Sequence, residues 1–309
     1  MRLPAEKMRV AILGSGNIGT DLLVKVLRSS YLECSLFIGR NLSSPGMAKA
    51  NSLGVPISDR SIEAILQDPD CCDLVFDATS AIDHKRHWPL LQKLGKRAID
   101  LTPSNLGMKC VPAVNLEECL DCDNVNMISC GGQTSIPLAW VIGQTQQDVE
   151  YIEVVSSIAS RSAGPATRIN LDEYIETTES GLRMFSGCPR TKVILNLNPA
   201  QPCVDMQTTI SAKLPDPDLQ KLIPAVEAMI AEIQGYVPGY HLIVAPRVES
   251  NRIVMMVKIQ GLGDYLPRYA GNLDIINCAA LAAGEAFARH HLASSVSWKG
   301  GDDAANSNQ

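Results

Sequence analysis

Cys130 stands in the run Asn126-Met127-Ile128-Ser129-Cys130-Gly131-Gly132-Gln133, at the end of an apolar stretch and ahead of Thr134, Ser135, Ile136 and Pro137. A thiol attacks as its thiolate, which needs stabilising dipoles and an uncrowded approach. A strand that feeds a glycine turn and then a helix N-terminus supplies both, and the same amides suit the oxyanion of a tetrahedral adduct. A sulfur placed in this way can add to an aldehyde, release a hydride to nicotinamide and keep the acyl group as a thioester. By number alone Cys130 is one of ten cysteines and would read as another small core residue. Its place opposite a dinucleotide loop, at the junction of two inferred domains, favours the nucleophile.

The loop is Gly14-Ser15-Gly16-Asn17-Ile18-Gly19, which fits G-x-G-x-x-G straight after an apolar strand and at the start of a helical pattern. Gly14 serves the tight turn, Gly16 the approach of a pyrophosphate to the backbone, and Gly19 the packing of helix on strand. The helix amides and dipole then meet the anion. A glycine turn with no ligand is the other reading, and the regular alternation around the loop counts against it. A carboxylate at the end of the second strand would hold the 2′-hydroxyl of NAD, whereas arginine accommodates the 2′-phosphate of NADP. Here the strand ends Leu36-Phe37-Ile38-Gly39-Arg40-Asn41, with no carboxylate at its tip. NAD(P) is expected, leaning to NADP through Arg40, with an exposed arginine that meets no ligand as the alternative.

Both features need a scaffold, and the pattern of the chain supplies one. Strand-like runs at 9–13, 35–38, 74–77, 97–101 and 125–128 alternate with helical stretches, the form of a doubly wound parallel sheet of Rossmann type. Between the first two runs, Ile18, Leu22, Leu23, Val26 and Leu27 fall on one helix face. After Cys130 come longer runs at 151–159, 193–197, 206–214, 241–248 and 252–260, which predict a mostly antiparallel sheet in a second, α+β domain. Two helices are expected to cover it, 171–185 behind Asn170 as N-cap and 218–234 with an apolar stripe. The small, apolar segment 273–291 predicts a buried helix returning to the first domain. The expected division is a dinucleotide-binding domain over 1–129, completed by 271–292, a catalytic and dimerisation domain over 130–270, and a disordered tail over 293–309.

Composition narrows the partners. The chain has 309 residues, 46% hydrophobic and 19% charged, with net charge -6, so two domains have enough apolar surface to share a core. The acidic excess argues against nucleic acid and against an anionic membrane surface. No apolar run approaches the roughly 20 residues of a membrane span, and residues 1–10 read directly into a strand, so a cytoplasmic protein is expected. The cysteines, including Cys34, Cys71, Cys72, Cys110 and Cys278, lie in core-like segments of a chain too large to need disulfides. No metal site is expected: Cys71 and Cys72 are adjacent, and His84 and His87 lack a second ligand pair.

Nine segments in order resemble the acylating acetaldehyde dehydrogenases of aromatic meta-cleavage pathways, which pair with 4-hydroxy-2-oxovalerate aldolase. They are GSGNIGTDLL (14–23), VFDATSA (75–81), IDLTP (99–103), CVPAVNL (110–116), NVNMISCGGQTSIP (124–137), SRSAGPATR (160–168), LNPA (197–200), YVPGY (236–240) and YLPRYAGNLDI (265–275). The resemblance runs to about residue 289. It implies that Cys130 carries the acyl thioester and that the cofactor meets Ser15, Gly16, Asn17 and Ile18. Further contacts are implied in the segment of Ser162, Ala163, Gly164, Pro165, Thr167, Arg168 and Asn170, and at Asn272. It further implies a short aldehyde, acetaldehyde or propanal, with coenzyme A as co-substrate, a homodimer, and an aldolase partner.

Three departures stand out. The strand after NPA usually carries an aspartate that assists the cysteine, and here that position is Thr208; Asp205 would lie on the opposite face. A hydroxyl cannot accept a proton at neutral pH as a carboxylate does. The family's Ile-Asp at the end of the second strand is here Arg40-Asn41, and the stretch 242–256 is shorter than its counterpart. The competing readings are a non-acylating semialdehyde dehydrogenase and a cofactor-binding subunit without catalysis. The former class generally uses a histidine base, and none of the five histidines lies in the motifs around Cys130.

Overall fold

Val10, Ala11, Ile12 and Leu13 are all buried, as a central strand covered on both faces requires. The computed structural model describes residues 7–299. The first half runs β1 (Met8–Leu13), α1 (Asn17–Val26), β2 (Leu32–Ile38), α2 (Pro45–Ser52), β3 (Ile57–Ser58), α3 (Glu63–Gln67), β4 (Leu74–Asp77), α4 (Ala81–Lys93), β5 (Arg97–Asp100), β6 (Met108–Lys109), α5 (Pro112–Cys119) and β7 (Asn124–Asn126). These strands form one sheet in the order β3-β2-β1-β4-β5-β7-β6. Every pairing in it is parallel. Strand order reverses between β1 and β4, which opens a crevice at the carboxyl ends of the strands. The short edge strands β3 and β6 are too brief to leave a periodic signal, and the sequence pattern misses them.

The second half runs α6 (Cys130–Thr145), β8 (Tyr151–Ala159), α7 (Pro165–Ile169), α8 (Leu171–Ser186), β9 (Thr191–Asn198), β10 (Met206–Lys213), α9 (Leu219–Gln234), β11 (Tyr240–Glu249), β12 (Arg252–Ile259) and α10 (Gly271–Lys299). The sheet order is β11-β12-β10-β8-β9, antiparallel except for the β8–β9 pair. Alternate residues of β8, β10 and β12, among them Ile152, Val154, Ile210, Met255 and Val257, face inward and are fully buried. Three helices cover that face: α8 and α9, as expected, and α6, whose start is expected at the glycine turn but whose place in this layer is not. α6 packs between α8 and α9 and also touches α10. Its apolar residues are spread around the helix rather than along a stripe, as a helix buried on all sides requires. Between β11 and β12 stands a two-residue turn, Ser250-Asn251, with φ of 48° and 59°.

One expectation is corrected. Leu27 is exposed because it caps α1 at its carboxyl end, beyond the buried stripe of Leu22, Leu23 and Val26. α10 is assigned through Lys299, into the tail expected over 293–309, of which residues 300–309 lie outside the described residues.

Lys25, on the other side of α1, is buried as well. Its Nζ donates to Asp21 at 2.8 Å, Asp264 at 2.9 Å and Asp274 at 2.8 Å. Burial opposes its charge, but Asp274 and Asp21 more than offset it and hold the ammonium above its usual range. The three carboxylates lie close enough together to suggest a cation site, and the lysine ammonium is the cation they surround. The cluster ties α1 to α10 and to the preceding loop. Lys25→Ala leaves three acids facing one another and is expected to cost about 3–5 kcal/mol, the usual loss when a buried ion pair is broken. Calorimetric unfolding should show a midpoint far below that of the exposed control Lys221→Ala; equal midpoints would contradict the role.

Candidate active site

The crevice at the strand ends is a narrow cleft of about 70 Å³. Its walls come from Ile18, Ala78, Thr79, Leu101, Thr102 and Pro103, which follow β1, β4 and β5, and from Ser129 and Cys130 after β7. Thr167, Asn170 and Tyr174 enter from α7 and α8, and Asn272, Leu273 and Ile276 from α10. Of the residues singled out in the sequence, the fold brings Ile18, Cys130, Thr167, Asn170 and Asn272 to this one space. Thr79, Thr102, Tyr174 and Ile276 belong to it too, although no motif marks them as chemical.

Cys130 is positioned by a local conflict. The strand expected over 125–128 ends at Asn126, and Ile128 adopts φ +65°, a left-handed conformation that a β-branched residue rarely takes. Asn126 holds it there: its Oδ1 accepts from the Ile128 amide at 2.9 Å, while its Nδ2 donates to Asp100 at 2.7 Å and to the Thr102 carbonyl at 2.8 Å. Gln133 adds a second clamp, donating to the carbonyls of Met127 and Cys110. The turn ahead of the helix is therefore made by Ile128 rather than by glycines, and Cys130 is the first residue of α6. Gly131 and Gly132 sit inside the first helical turn. A Cβ on Gly132 would meet Ile128 Cγ2 at 2.7 Å, and one on Gly131 would lie 2.0 Å from Tyr174 Oη.

Ser129 caps the helix by accepting from the Gly132 amide at 2.8 Å, so this amide is not available to a ligand. The amides of Cys130 and Gly131 are the ones that act on the sulfur. Although Cys130 is only half-buried by surface, the apolar cleft dominates, and burial pushes its thiol up to about 11 against the pull of Tyr174 and the two amides. Amide dipoles alone do not make it a thiolate at neutral pH.

The cleft walls rest on a buried polar network. Asp77 accepts from Thr79 and, through Oδ2, meets His84 Nδ1 and His87 Nδ1 at 2.9 Å each. Burial works against its charge, yet the two imidazoles hold its pKa down to about 2. Asp100 accepts from the Thr102 amide and from Ser104 and Asn126; burial still raises it to about 6. The histidines thus brace the strand ends, and among the described residues none lines the cleft.

The glycine loop at residues 14–19 meets the steric demands its spacing predicts. Gly14 has φ +121°, and a Cβ there would meet the Ala78 carbonyl at 2.5 Å; one on Gly19 would lie 1.8 Å from the Gly14 carbonyl. In front of Gly16 the space is open. Ser15 Oγ lies 3.3 Å from Ser44 Oγ, Asn17 is exposed, and Arg40 is exposed just past β2. In the second segment Ser162 Oγ donates to the Ala159 carbonyl, Ala163 is buried, Gly164 is half-buried and Pro165 opens α7. Arg168 donates to Ala163 and Ser160, so its guanidinium fastens this loop. Thr208 is fully buried on the inner face of β10, hydrogen-bonded to Ser156 at 2.9 Å and outside the cleft lining; Asp205 pairs with Gln260 and Lys258 instead.

Residues 130–267 match the family described as prokaryotic acetaldehyde dehydrogenase, dimerisation. An acetaldehyde dehydrogenase of Spirochaeta aurantia is 59% identical over 93% of this chain and 97% of its own. The chain belongs to the acetaldehyde dehydrogenase family. A second relative, from Pectobacterium atrosepticum, is 58% identical over 91% of this chain and 95% of its own. Among solved structures, aspartate semialdehyde dehydrogenase II of Vibrio cholerae aligns with TM-score 0.60 at 14% identity, covering 94% of this chain and 99% of that one. The Candida albicans aspartate semialdehyde dehydrogenase with NADP aligns at 0.61 and 11%, covering 91% and 100%. These two share the fold. As a family member the protein is an oxidoreductase that uses a nicotinamide cofactor, and no described helix is long and apolar enough to cross a membrane.

The raised thiol has a direct consequence. Iodoacetamide should alkylate Cys130 slowly at pH 7 and still faster with every step up to pH 10, where an ordinary cysteine with its midpoint at about 8.5 has levelled off. Peptide mass mapping against pH checks this, and a plateau below pH 8 would contradict it.

Proposed function

We propose that the enzyme converts a short aldehyde, CoA and NAD(P)+ to acyl-CoA and NAD(P)H through a thioester on Cys130, the reaction also running in reverse as an acyl-CoA reduction. The observation that carries this reading is the position of Cys130: first residue of α6, at the base of a cleft between the phosphate loop and α10.

The residues fit a nicotinamide dinucleotide. Asn272 is fully buried in the cleft wall with both its amide nitrogen and its oxygen unpaired, and Thr102 Oγ1 is likewise unpaired. Unpaired buried polar atoms are costly, so a carboxamide-bearing ligand would relieve them. Gly14, Ser15, Gly16, Asn17, Ile18 and Gly19 would hold the pyrophosphate, while Ser162, Ala163, Gly164, Pro165, Thr167, Arg168, Asn170 and Asn272 would shape the nicotinamide end. When bound, the nicotinamide supplies the hydride acceptor. Cys130 adds through sulfur to the aldehyde carbonyl, and the amides of Cys130 and Gly131 face the charge that develops there. Ile18, Leu101, Leu273 and Ile276 keep water from the thioester until CoA sulfur displaces it.

We further propose an NADP preference through Arg40, exposed beyond β2, and a division into a cofactor domain (1–129 with 271–292) and a catalytic, dimer-forming domain (130–270). The outer face of the second sheet, with Val155, Val254 and Met256 only half-buried, supports a homodimer.

Assays with acetaldehyde or propanal should show nicotinamide reduction that depends on CoA, and an acyl adduct on Cys130 by mass spectrometry when CoA is withheld. Turnover without CoA would support the semialdehyde class instead, and no turnover the cofactor-binding subunit. Arg40→Asp is expected to shift the NADP/NAD ratio of kcat/KM about tenfold or more toward NAD, the worth of one charged hydrogen bond; an unchanged ratio removes the assignment.

A further inference from the structure

Thr208 offers no carboxylate and lies outside the cleft lining, bonded to Ser156, so the means of activating Cys130 has to come from elsewhere. The cleft lining contains no carboxylate, imidazole or ammonium among the described residues; its two ionisable side chains are Cys130 and Tyr174. Tyr174 lies on α8, one turn beyond Asn170, and its hydroxyl is buried with no hydrogen-bond partner of good geometry. Leaving a phenol unpaired in an apolar site costs stability. Gly131 is what admits it: only a residue without a Cβ leaves room for Tyr174 Oη beside the first turn of α6.

We propose that Tyr174 is a catalytic residue that donates a hydrogen bond to the Cys130 sulfur as the thiolate forms, with Ser156 and Thr208 behind it as positioning residues. Ser156 and Thr208 are directly opposed across β8 and β10, and their hydroxyls are bonded at 2.9 Å on the face turned toward Tyr174. Ser156 Oγ and Tyr174 Oη both lie within 4 Å of the point where a Cβ on Gly131 would stand. Burial and the neighbouring sulfur hold the phenol well above its usual range, so it keeps its proton and acts as donor. Its effect on the thiol is downward, against the burial that raises it. The groups that act on the sulfur are the Cys130 and Gly131 amides from α6 and the phenol from α8, and the other polar residues of the cleft lining, Ser129, Thr79, Thr102, Thr167, Asn170 and Asn272, are uncharged. The step is an ionisation: the S–H bond breaks, its proton leaves to water at the mouth of the cleft, and Tyr174 retains its own.

The inference rests on Cys130 being the reacting thiol, and alkylation reads that thiol whether or not acyl-CoA is made. In Tyr174→Phe the rate of iodoacetamide labelling at Cys130 at pH 8 is expected to fall roughly ten- to a hundredfold, the worth of a hydrogen bond to an ionised group. The deficit should narrow as pH rises. kcat should fall by a similar factor with KM for the aldehyde unchanged. The thermal midpoint should hold or rise, because the hydroxyl removed has no partner; a hydroxyl kept for packing would lower it. Unchanged labelling in the folded variant would overturn the proposal. If Tyr174→Phe does not fold, Ser156→Ala replaces it: a smaller loss of labelling supports the arrangement, and no loss overturns it. Slower labelling in Tyr174→Phe together with no acyl adduct in the parent enzyme would retire the thioester reading and leave the role of Tyr174 standing.

Discussion

The geometry of the whole site depends on one strained residue. Ile128 sits in the left-handed region, where its branched side chain is disfavoured, because Asn126 captures its amide and is itself anchored to Asp100 and Thr102. Without that turn the chain would continue as strand, and Cys130 would point into the sheet instead of opening α6. The same turn brings Ile128 against Gly132, which explains a glycine in the first turn of a helix where it costs about 1 kcal/mol in propensity. Strain, clamp and glycines form one unit, and the exposed face of the sulfur is its product.

A second constraint closes the cleft from above. The ammonium of Lys25 joins α1 to α10 and the loop at Asp264, and Asn277 adds bonds to Asp21 and the Ile18 carbonyl. These contacts set α10 across the phosphate loop and place Asn272 and Ile276 in the wall opposite Cys130. A buried ion cluster of this kind adds little net stability over apolar packing, but it fixes position, because an alternative register would leave charges unpaired. Here the charged network defines where two segments far apart in sequence meet.

The third feature is the electrostatic poverty of the reaction space. Its acids and imidazoles are held beneath the floor, where Asp77, His84, His87 and Asp100 satisfy one another and support the loops at Thr79 and Thr102. Above the floor stand hydroxyls, amides and apolar side chains. Such a space suits a thioester, since it carries no internal base to activate water against it. The cost is a thiol raised to about 11, and the phenol of Tyr174 is the side chain that counters it.

Much of this was legible in the sequence for physical reasons. Strands buried on both faces and amphipathic helices leave periodic signals, so the two sheets and the order of the elements could be read, as could the glycine loop, whose three positions each meet a steric demand. The place of Cys130 was legible because an apolar run precedes it and a glycine pair follows it in the chain. Long-range relations leave no such local mark. Lys25 reads as a surface lysine until Asp264 and Asp274 arrive from the other end of the chain. Tyr174 and Thr102 read as ordinary core and turn residues until the folded cleft collects them. The start of α6 could be read but not its extent, because an element buried on all sides has no polar face to give a period. The sequence by itself determined the fold class, the form of the glycine loop and the place of Cys130 between strand and helix; tertiary structure alone decided what surrounds its sulfur, because burial and unpaired polar atoms exist only after distant segments meet.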